Sequence, residues 1–441
     1  RDRQMTFYAE LRGEHLTDEV VAALDQANVR YVEVGLQTAN LAALKASHRV
    51  RIGWPTALLG LFVSCDVVTF WMYGWSLRDL LPLSWPVLFG GYFGIWRLAS
   101  IYPTPRARIA ALVVYAALPL PTQLLSGGHW TALACYAAGP WGLHLLRRFA
   151  GIESSGSRQD TEVEHYVHVD AQRRVRRGAQ LALLAAVSFA FAPAFAVLLV
   201  GMSALMALAT VVVGGRVRVA LTLLGGAVGA VAVGFVINLP WSLSLLGHDG
   251  WTAIVGVPVA SSRSLGVRTL VRFLDEGDGP AVVSLLLFLP VLVAPLVARA
   301  WRFTWAVRSS LLVFGFGALA VLDDRAALPF RMPEPGVLLV PVAIGVALAA
   351  ATLAAAFQDD VLGAHFGWRQ PLGILTGAAV AIGVVPGVIN VADGGWGMPN
   401  RTLVSALAEM PENPEEGDYR VLWIGDPQAI PVAAYTFQPG I

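Results

Sequence analysis

Lysine is almost missing: Lys45 stands alone against thirty arginines in the 441-residue chain, a bias that points to a high-GC genome. Charge of either sign is scarce, at 14% of residues, where a soluble domain carries roughly 25%. Hydrophobic residues make up 56%, and the mean hydropathy is +0.62. These shortages exclude a soluble enzyme, a disordered protein and a nucleic-acid binder; they describe a polytopic membrane protein. Cysteine is nearly absent as well. Cys65 and Cys135 both sit in apolar runs, so they read as small buried hydrophobes. No disulfide framework or cysteine-based metal site follows from two such residues. The chain has no Walker loop, dinucleotide fingerprint, H-E-x-x-H or G-x-S-x-G motif. An ATPase, a Rossmann enzyme and a metalloprotease therefore have no support.

What is present, from Trp54 onward, is a series of long apolar runs punctuated by arginine. Eleven spans are expected, at 54–73, 82–96, 109–125, 130–146, 179–192, 194–214, 219–239, 281–298, 309–322, 336–357 and 371–391. A full crossing needs about 20 residues. The segments 82–96, 179–192 and 309–322 are short, and read as re-entrant, broken or packed inside the bundle. Pro119, Pro121, Pro193, Pro290 and Pro295 are expected to break or kink spans. Trp71, Trp75, Trp85, Trp130, Trp141, Trp241 and Trp251 lie near span ends, as in an interfacial belt. With residue 53 in the cytoplasm, the inner loops hold sixteen arginines and seven acids, the outer loops eight and fifteen. The positive-inside rule then places the N-terminus in the cytoplasm and the C-terminus outside, in a multi-pass plasma-membrane protein.

Residues 1–49 differ from this body. Phe7–Leu11 and Tyr31–Gly35 read as strands. Thr17–Leu24 reads as a helix capped by Thr17 with acids in its first turn, and Asn40–Ser47 as another. This βα series belongs to a parallel sheet or barrel. Glu33, Gly35, Leu36 and Gln37 form an E-x-G-L-Q strand. Through it the stretch resembles the mid-barrel segment of radical S-adenosylmethionine enzymes, of the cobalamin-binding type. That family holds an iron–sulfur cluster on a C-x3-C-x2-C loop. The chain has no such loop, so no cluster is expected. Two βα units cannot bury a core alone, and the segment reads as an inert fusion or assembly scar; the alternative is a degenerate cytoplasmic appendage. The chain opens Arg1-Asp2-Arg3, without a signal peptide, and closes Gln438-Pro-Gly-Ile441. It reads as a piece of a longer gene product.

Two stretches are polar. Residues 147–178 form a cytoplasmic basic loop whose arginine end, 173–177, reads as a positive-inside anchor. His165 and His168 within it read as solvated loop histidines, with no third metal ligand nearby. Residues 392–441 open an extracytoplasmic α/β or β domain, with Tyr419–Ile424 as a buried-type strand and Val432–Phe437 as another.

Chemistry is sought among ionisable residues at depth and in the outer loops. Asp66 lies within the first span, toward its outer end, and Asp79 follows it. Either carboxylate can act as general base toward an acceptor hydroxyl, though a snorkelling packing residue is the competing reading of Asp66. The long outer loop 240–280 carries Asp249, Arg263, Arg268 and Arg272. Arginine pairs bidentately with phosphate, which suits an anionic, lipid-linked substrate. His129, in Ser126-Gly-Gly-His129-Trp130, and Asp323 and Asp324 are further candidates, and Glu334 lies in the same loop as the last two.

The body also carries a resemblance. The blocks "RARIAALVVYAALPLPTQLLSGGHWTALACYAAGPWGLHLLRR" (106–148), "INLPWSLSLLGHDGWTAIVGVP" (237–258), "FGWRQPLGILTGAAVAIGVVPGVINVADGGWGMP" (366–399) and "DYRVLWIGDPQAIPV" (418–432) are similar, in order, to a large actinobacterial membrane-protein family. In fuller members a family-2 glycosyltransferase domain precedes the spans and a soluble extracytoplasmic region follows them. Here the radical-enzyme scrap stands in that place. The remaining layout resembles lipid-linked-sugar glycosyltransferases of the C-type fold, in which an Asp or Glu of the first outer loop is the usual base. Asp66 and Asp79 are the nearest positions.

The expected fold is thus an all-α polytopic bundle of about eleven spans. It has an N-terminal α/β scrap (1–49) and the start of a C-terminal domain (392–441). Spans one to four fill 54–146 and spans five to eleven fill 179–391. The expected function is cell-envelope glycan assembly: transfer or passage of a polyprenyl-phosphate-linked sugar at the outer face, with a divalent metal optional. A non-catalytic partner, a flippase-like protein or an inactive chimera is the alternative. The partners expected are the bilayer and that lipid-linked sugar.

Overall fold

The computed structural model describes residues 7–11, 29–34, 81–153, 169–247, 250–256, 266–274, 281–361 and 367–392. The expected span 54–73, the helices expected at 17–24 and 40–47, and the expected domain 392–441 lie outside the described residues, save residue 392. The chain divides into two units, Arg1–Gly74 and Trp75–Ile441. In the first, β1 (Phe7–Leu11) and β2 (Val29–Val34) pair in parallel, with Tyr8 opposite Tyr31 and Leu11 opposite Val34. Parallel neighbours need a crossover connection, and the helix expected there lies outside the described residues.

The described part of the second unit is helical. In order come α1 (Leu81–Leu98), α2 (Pro105–Ala117), α3 (Leu120–Ser126), α4 (Trp130–Phe149), α5 (Ala171–Phe191), α6 (Ala194–Val212) and α7 (Val217–Ile237). Short helices α8 (Gly250–Val255), α9 (Gly266–Val271) and α10 (Ala281–Leu286) follow. Then come α11 (Leu289–Val297), α12 (Ala300–Asp324), α13 (Pro335–Ala356) and α14 (Arg369–Ala392). Among the described residues six stretches are helical, long and apolar enough to cross a membrane: Pro105–Ser126, Ala194–Val212, Val217–Ile237, Ala300–Asp324, Pro335–Asp360 and Arg369–Ile389. Leu183, Val212, Leu221, Val236, Leu375 and Ile389 stand exposed on the outward faces. Such apolar surface is stable against lipid and unstable against water. The protein is an integral membrane protein.

Proline sets three of the five expected breaks, while Pro121 lies in a helix first turn and Pro295 inside α11. Pro119 separates α2 from α3, Pro193 separates α5 from α6, and Pro290 opens α11. Two expected boundaries need correction. The run 309–322 is no short span, because it lies within the 25-residue α12. The run 179–192 is the second half of α5, which begins at Ala171 inside the expected polar loop. Asp170 caps that helix, its Oδ1 accepting Arg173 N–H at 2.7 Å. Arginine is a good helix former with a stem long enough to reach water, so the helix outruns the apolar stretch. The expected outer loop 240–280 likewise carries the 3-10 turn Trp241–Leu246 as well as α8 and α9.

Helix α13 is the axis of the bundle: 94% of its apolar window is buried. It is apolar on every face, as a fully enclosed helix must be, and its alanines and glycines let neighbours approach closely. The tightest crossing is with α12. A Cβ at Gly345 would lie 2.7 Å from Val313 Cγ2 and 2.8 Å from the Ser309 carbonyl oxygen. That oxygen belongs to rigid helix backbone and cannot step aside. Gly345→Leu is therefore expected to abolish the monodisperse peak on size-exclusion chromatography in detergent, while Gly225→Leu, where a Cβ meets nothing within 4 Å, keeps it. Equal behaviour of the two variants would refute the close crossing.

Contacts between helix ends fall into two groups. Residues assigned to one side meet at one end: His129 with Glu334, Asp324 with Gly266, and Trp251 with Arg331. Residues assigned to the other side meet at the opposite end: Arg147 with Ser100, Arg177 with Glu153, and Arg302 with Asp360.

Candidate functional site

The site at the His129 end is built from two helix starts. Gly128, at φ 70°, turns the chain out of α3, a conformation that suits glycine. Gly127 is required by proximity: a Cβ there would lie 2.6 Å from His129 Cδ2 and 2.8 Å from Nε2. The His129 amide donates to the Leu124 carbonyl at 2.9 Å, and the residue caps α4. Across the bundle Glu334 caps α13, with Pro335 in the first turn, where its missing N–H is harmless. Gly336 lets this turn come close, since a Cβ would stand 2.9 Å from Leu124 Cδ2 and 3.1 Å from Ala132 Cβ.

The result is a pair 205 residues apart in sequence: His129 Nδ1 lies 3.1 Å from Glu334 Oε2. Their side chains are 23% and 15% exposed, so the pair is largely desolvated yet reachable. A carboxylate on Nδ1 favours the tautomer with its proton there and stabilises the ring once it is protonated. The Nε2 edge passes Gly127, which carries no side chain. That is a general-base arrangement. Glu334 Oε1 is buried and has no hydrogen-bond partner among the described residues, an acceptor ready for a hydroxyl or a water.

A strained turn abuts this pair. After α9, Phe273 and Leu274 both hold positive φ, at 55° and 68°, which is uncommon for such side chains. Leu274 N–H closes back on the Thr269 carbonyl at 2.9 Å, and Phe273 is buried in a stack with Phe288 at 5.6 Å. Leu274 reaches the α13 start, 3.8 Å from where a Gly336 Cβ would be. On this segment Arg272 is buried and Arg268 is exposed.

Of the sequence candidates, Asp66, Asp79, Asp249 and Arg263 lie outside the described residues, as do His165 and His168. His129, Arg268 and Arg272 come to the same end of the bundle. Asp323 and Asp324 share that end but hold loops. Asp323 Oδ1 accepts Met332 N–H at 2.9 Å, and Asp324 Oδ2 accepts Gly266 N–H at 3.1 Å. Trp251 Nε1 adds a third tie, donating to the Arg331 carbonyl at 2.8 Å. Sequence reasoning missed Glu334 as the partner of His129. Its available signal was the Glu-Pro step at a span start, level with His129 in the alternation. Among the described residues no three His, Cys, Asp or Glu side chains gather as a metal site. Compared with protein-family models, curated proteins and solved structures, the chain matches none.

Proposed function

We propose that this membrane protein serves cell-envelope glycan assembly by handling a polyprenyl-phosphate-linked sugar at the outer face of the plasma membrane. The observation that carries this reading is the His129–Glu334 pair at a bundle end, beside a turn that bears Arg268 and Arg272. The pair supplies a base for an acceptor hydroxyl, and the arginines suit a phosphate. The charge alternation supports placing this end outside, with eleven spans, a cytoplasmic N-terminus and an extracytoplasmic C-terminus. Asp66 and Asp79 remain candidate bases of the same face, and Arg263 a third phosphate contact. A divalent metal is optional in this scheme.

Passage of the lipid without transfer is the second reading. The engagement of Asp323 and Asp324 by backbone amides favours it, because it removes two carboxylates from the pool of bases. The test uses the full chain in proteoliposomes with a labelled polyprenyl-phosphate hexose. Saturable binding that a polyprenol without phosphate does not match is expected, with release of the hexose to an acceptor. Binding and crossing without release select the passage reading. Binding no tighter than that of the bare polyprenol sinks both.

A further inference from the structure

At the opposite end of the bundle lies a groove that the glycan reading does not use. Its floor is one face of α4. Trp141, His144, Leu145 and Arg148 follow at helical spacings of three, four and seven, and so share that face. The last turn of α1 contributes Arg97, Ser100 follows it, and α5 supplies Gln180. The cavity measures about 420 Å³, and Arg147 and Glu153 complete its polar lining. A second hollow of about 270 Å³ continues it through Arg148 and Gln180 to Arg173, Arg176 and Arg177.

Six arginines therefore meet two carboxylates. Arg177 binds Glu153 at 2.5 Å and Arg173 binds Asp170 at 3.3 Å. Among the described residues no carboxylate pairs with Arg97, Arg147, Arg148 or Arg176. Arg147 is the telling one, because it is 4% exposed. Its guanidinium donates to the Ile152 carbonyl at 3.1 Å and to Ser100 Oγ at 2.8 Å. Neutral acceptors hold its position, and the carboxylate whose charge reaches it, Glu153, is already bound by Arg177. A buried charge without a counter-charge is unstable unless something anionic supplies one.

The groove is also apolar at its deeper end. Trp141 sits about 10 Å along the helix from Arg148, at a rise of about 1.5 Å per residue. Phe93, 53% exposed, packs on the Trp141 ring at 5.6 Å. The surface that meets acyl chains thus runs into the cavity without a break. A free anion needs the arginines and has no use for this apolar run; a lipid uses both.

We propose that this groove binds the phosphate headgroup of an anionic phospholipid from the leaflet at this end, with its upper acyl segment against Trp141 and Leu145. The inference is independent of any reaction at the His129 end. The test titrates the full chain in detergent with dioleoyl-phosphatidylglycerol, followed by native mass spectrometry, with dioleoyl-phosphatidylcholine and inorganic phosphate as competitors. Saturable binding is expected, weakened about fivefold by Arg148→Gln and again by Arg176→Gln. Arg97→Gln, on a different helix, should repeat the loss. Arg218→Gln, on the exposed start of α7, should leave binding unchanged. Displacement by inorganic phosphate would turn the groove into a soluble-anion site and overturn the lipid assignment. Equal binding by phosphatidylcholine, no loss in the three groove variants, or an equal loss in Arg218→Gln would overturn the site itself.

Discussion

Arg302→Met is expected to destabilise the detergent-solubilised protein by about 3–5 kcal/mol, the usual effect of breaking a buried ion pair from one side. Arg302 stands in the first turn of α12 with its side chain 5% exposed, and Asp360 opposite is 7% exposed. The guanidinium holds both oxygens of Asp360: Nε donates to Oδ2 at 2.9 Å, and a terminal nitrogen grips Oδ1. Asp359 Oδ2 lies 3.5 Å from the other terminal nitrogen, and the Arg299 amide adds a bond to Asp360 Oδ2 at 3.2 Å. The π turn Phe357–Val361, at the end of α13, aims both acids at α12. Methionine removes the cation that both neighbouring carboxylates face. Asp360→Asn should do less harm, because an amide oxygen still accepts from the guanidinium. The double variant Arg302→Met with Asp360→Leu should recover part of the loss, since both charges of the more buried pair are then gone and the more exposed Asp359 alone keeps its charge. Thermal unfolding of the four proteins decides it. If the single and double variants lose the same stability, water has replaced the missing partner and the pair is not sealed.

These arginines show how far the sequence could be read. As residues near span ends they entered the positive-inside count. It did not show that Arg302 and Arg308 are buried. Arg308 is fully enclosed, donates to Thr210 Oγ1 at 2.9 Å, and lies over the Trp305 ring at 4.9 Å. Hydropathy ended the ninth span near residue 309 because it counts each arginine as exposed. The helix continues to Ala300 with partners 98 and 58 residues away, the Thr210 hydroxyl for Arg308 and the Asp360 carboxylate for Arg302. No local pattern encodes such pairings. The same holds for α13. Its apolar run was legible, and its place at the axis was not, because lipid-facing and enclosed helices are both apolar. The excess of alanine over leucine from Ala347 to Ala356 is the one local sign of an enclosed helix. At the His129 end, the glycine pair before His129 was legible as part of the link between two expected spans. Its need to let the ring fold back became clear only with Glu334 in place.

The largest kinetic effect is expected at that pair. If it supplies the base for sugar transfer, His129→Ala should lower turnover about 10²–10⁴-fold, the range that a positioned general base contributes. Glu334→Gln should lose less than His129→Ala. The imidazole stays, and an amide oxygen still accepts from Nδ1, but the negative charge that stabilises the protonated ring is gone. Both losses should fall on kcat rather than KM, because neither group is placed to hold the phosphate. Arg268→Gln should show the reverse: a raised KM for the lipid-linked sugar with kcat nearly kept, since a phosphate contact acts alike in ground and transition states. Asp323→Asn is the control of the set. Its carboxylate accepts a single described bond from a loop amide at 2.9 Å, and asparagine preserves that acceptor, so turnover should stay within about twofold, as for a change of roughly 0.4 kcal/mol. A matching collapse of kcat in Asp323→Asn would move the base from His129 to that loop. Unchanged kcat in both His129→Ala and Glu334→Gln would leave Asp66 and Asp79 as the bases to examine, by the same split of kcat from KM.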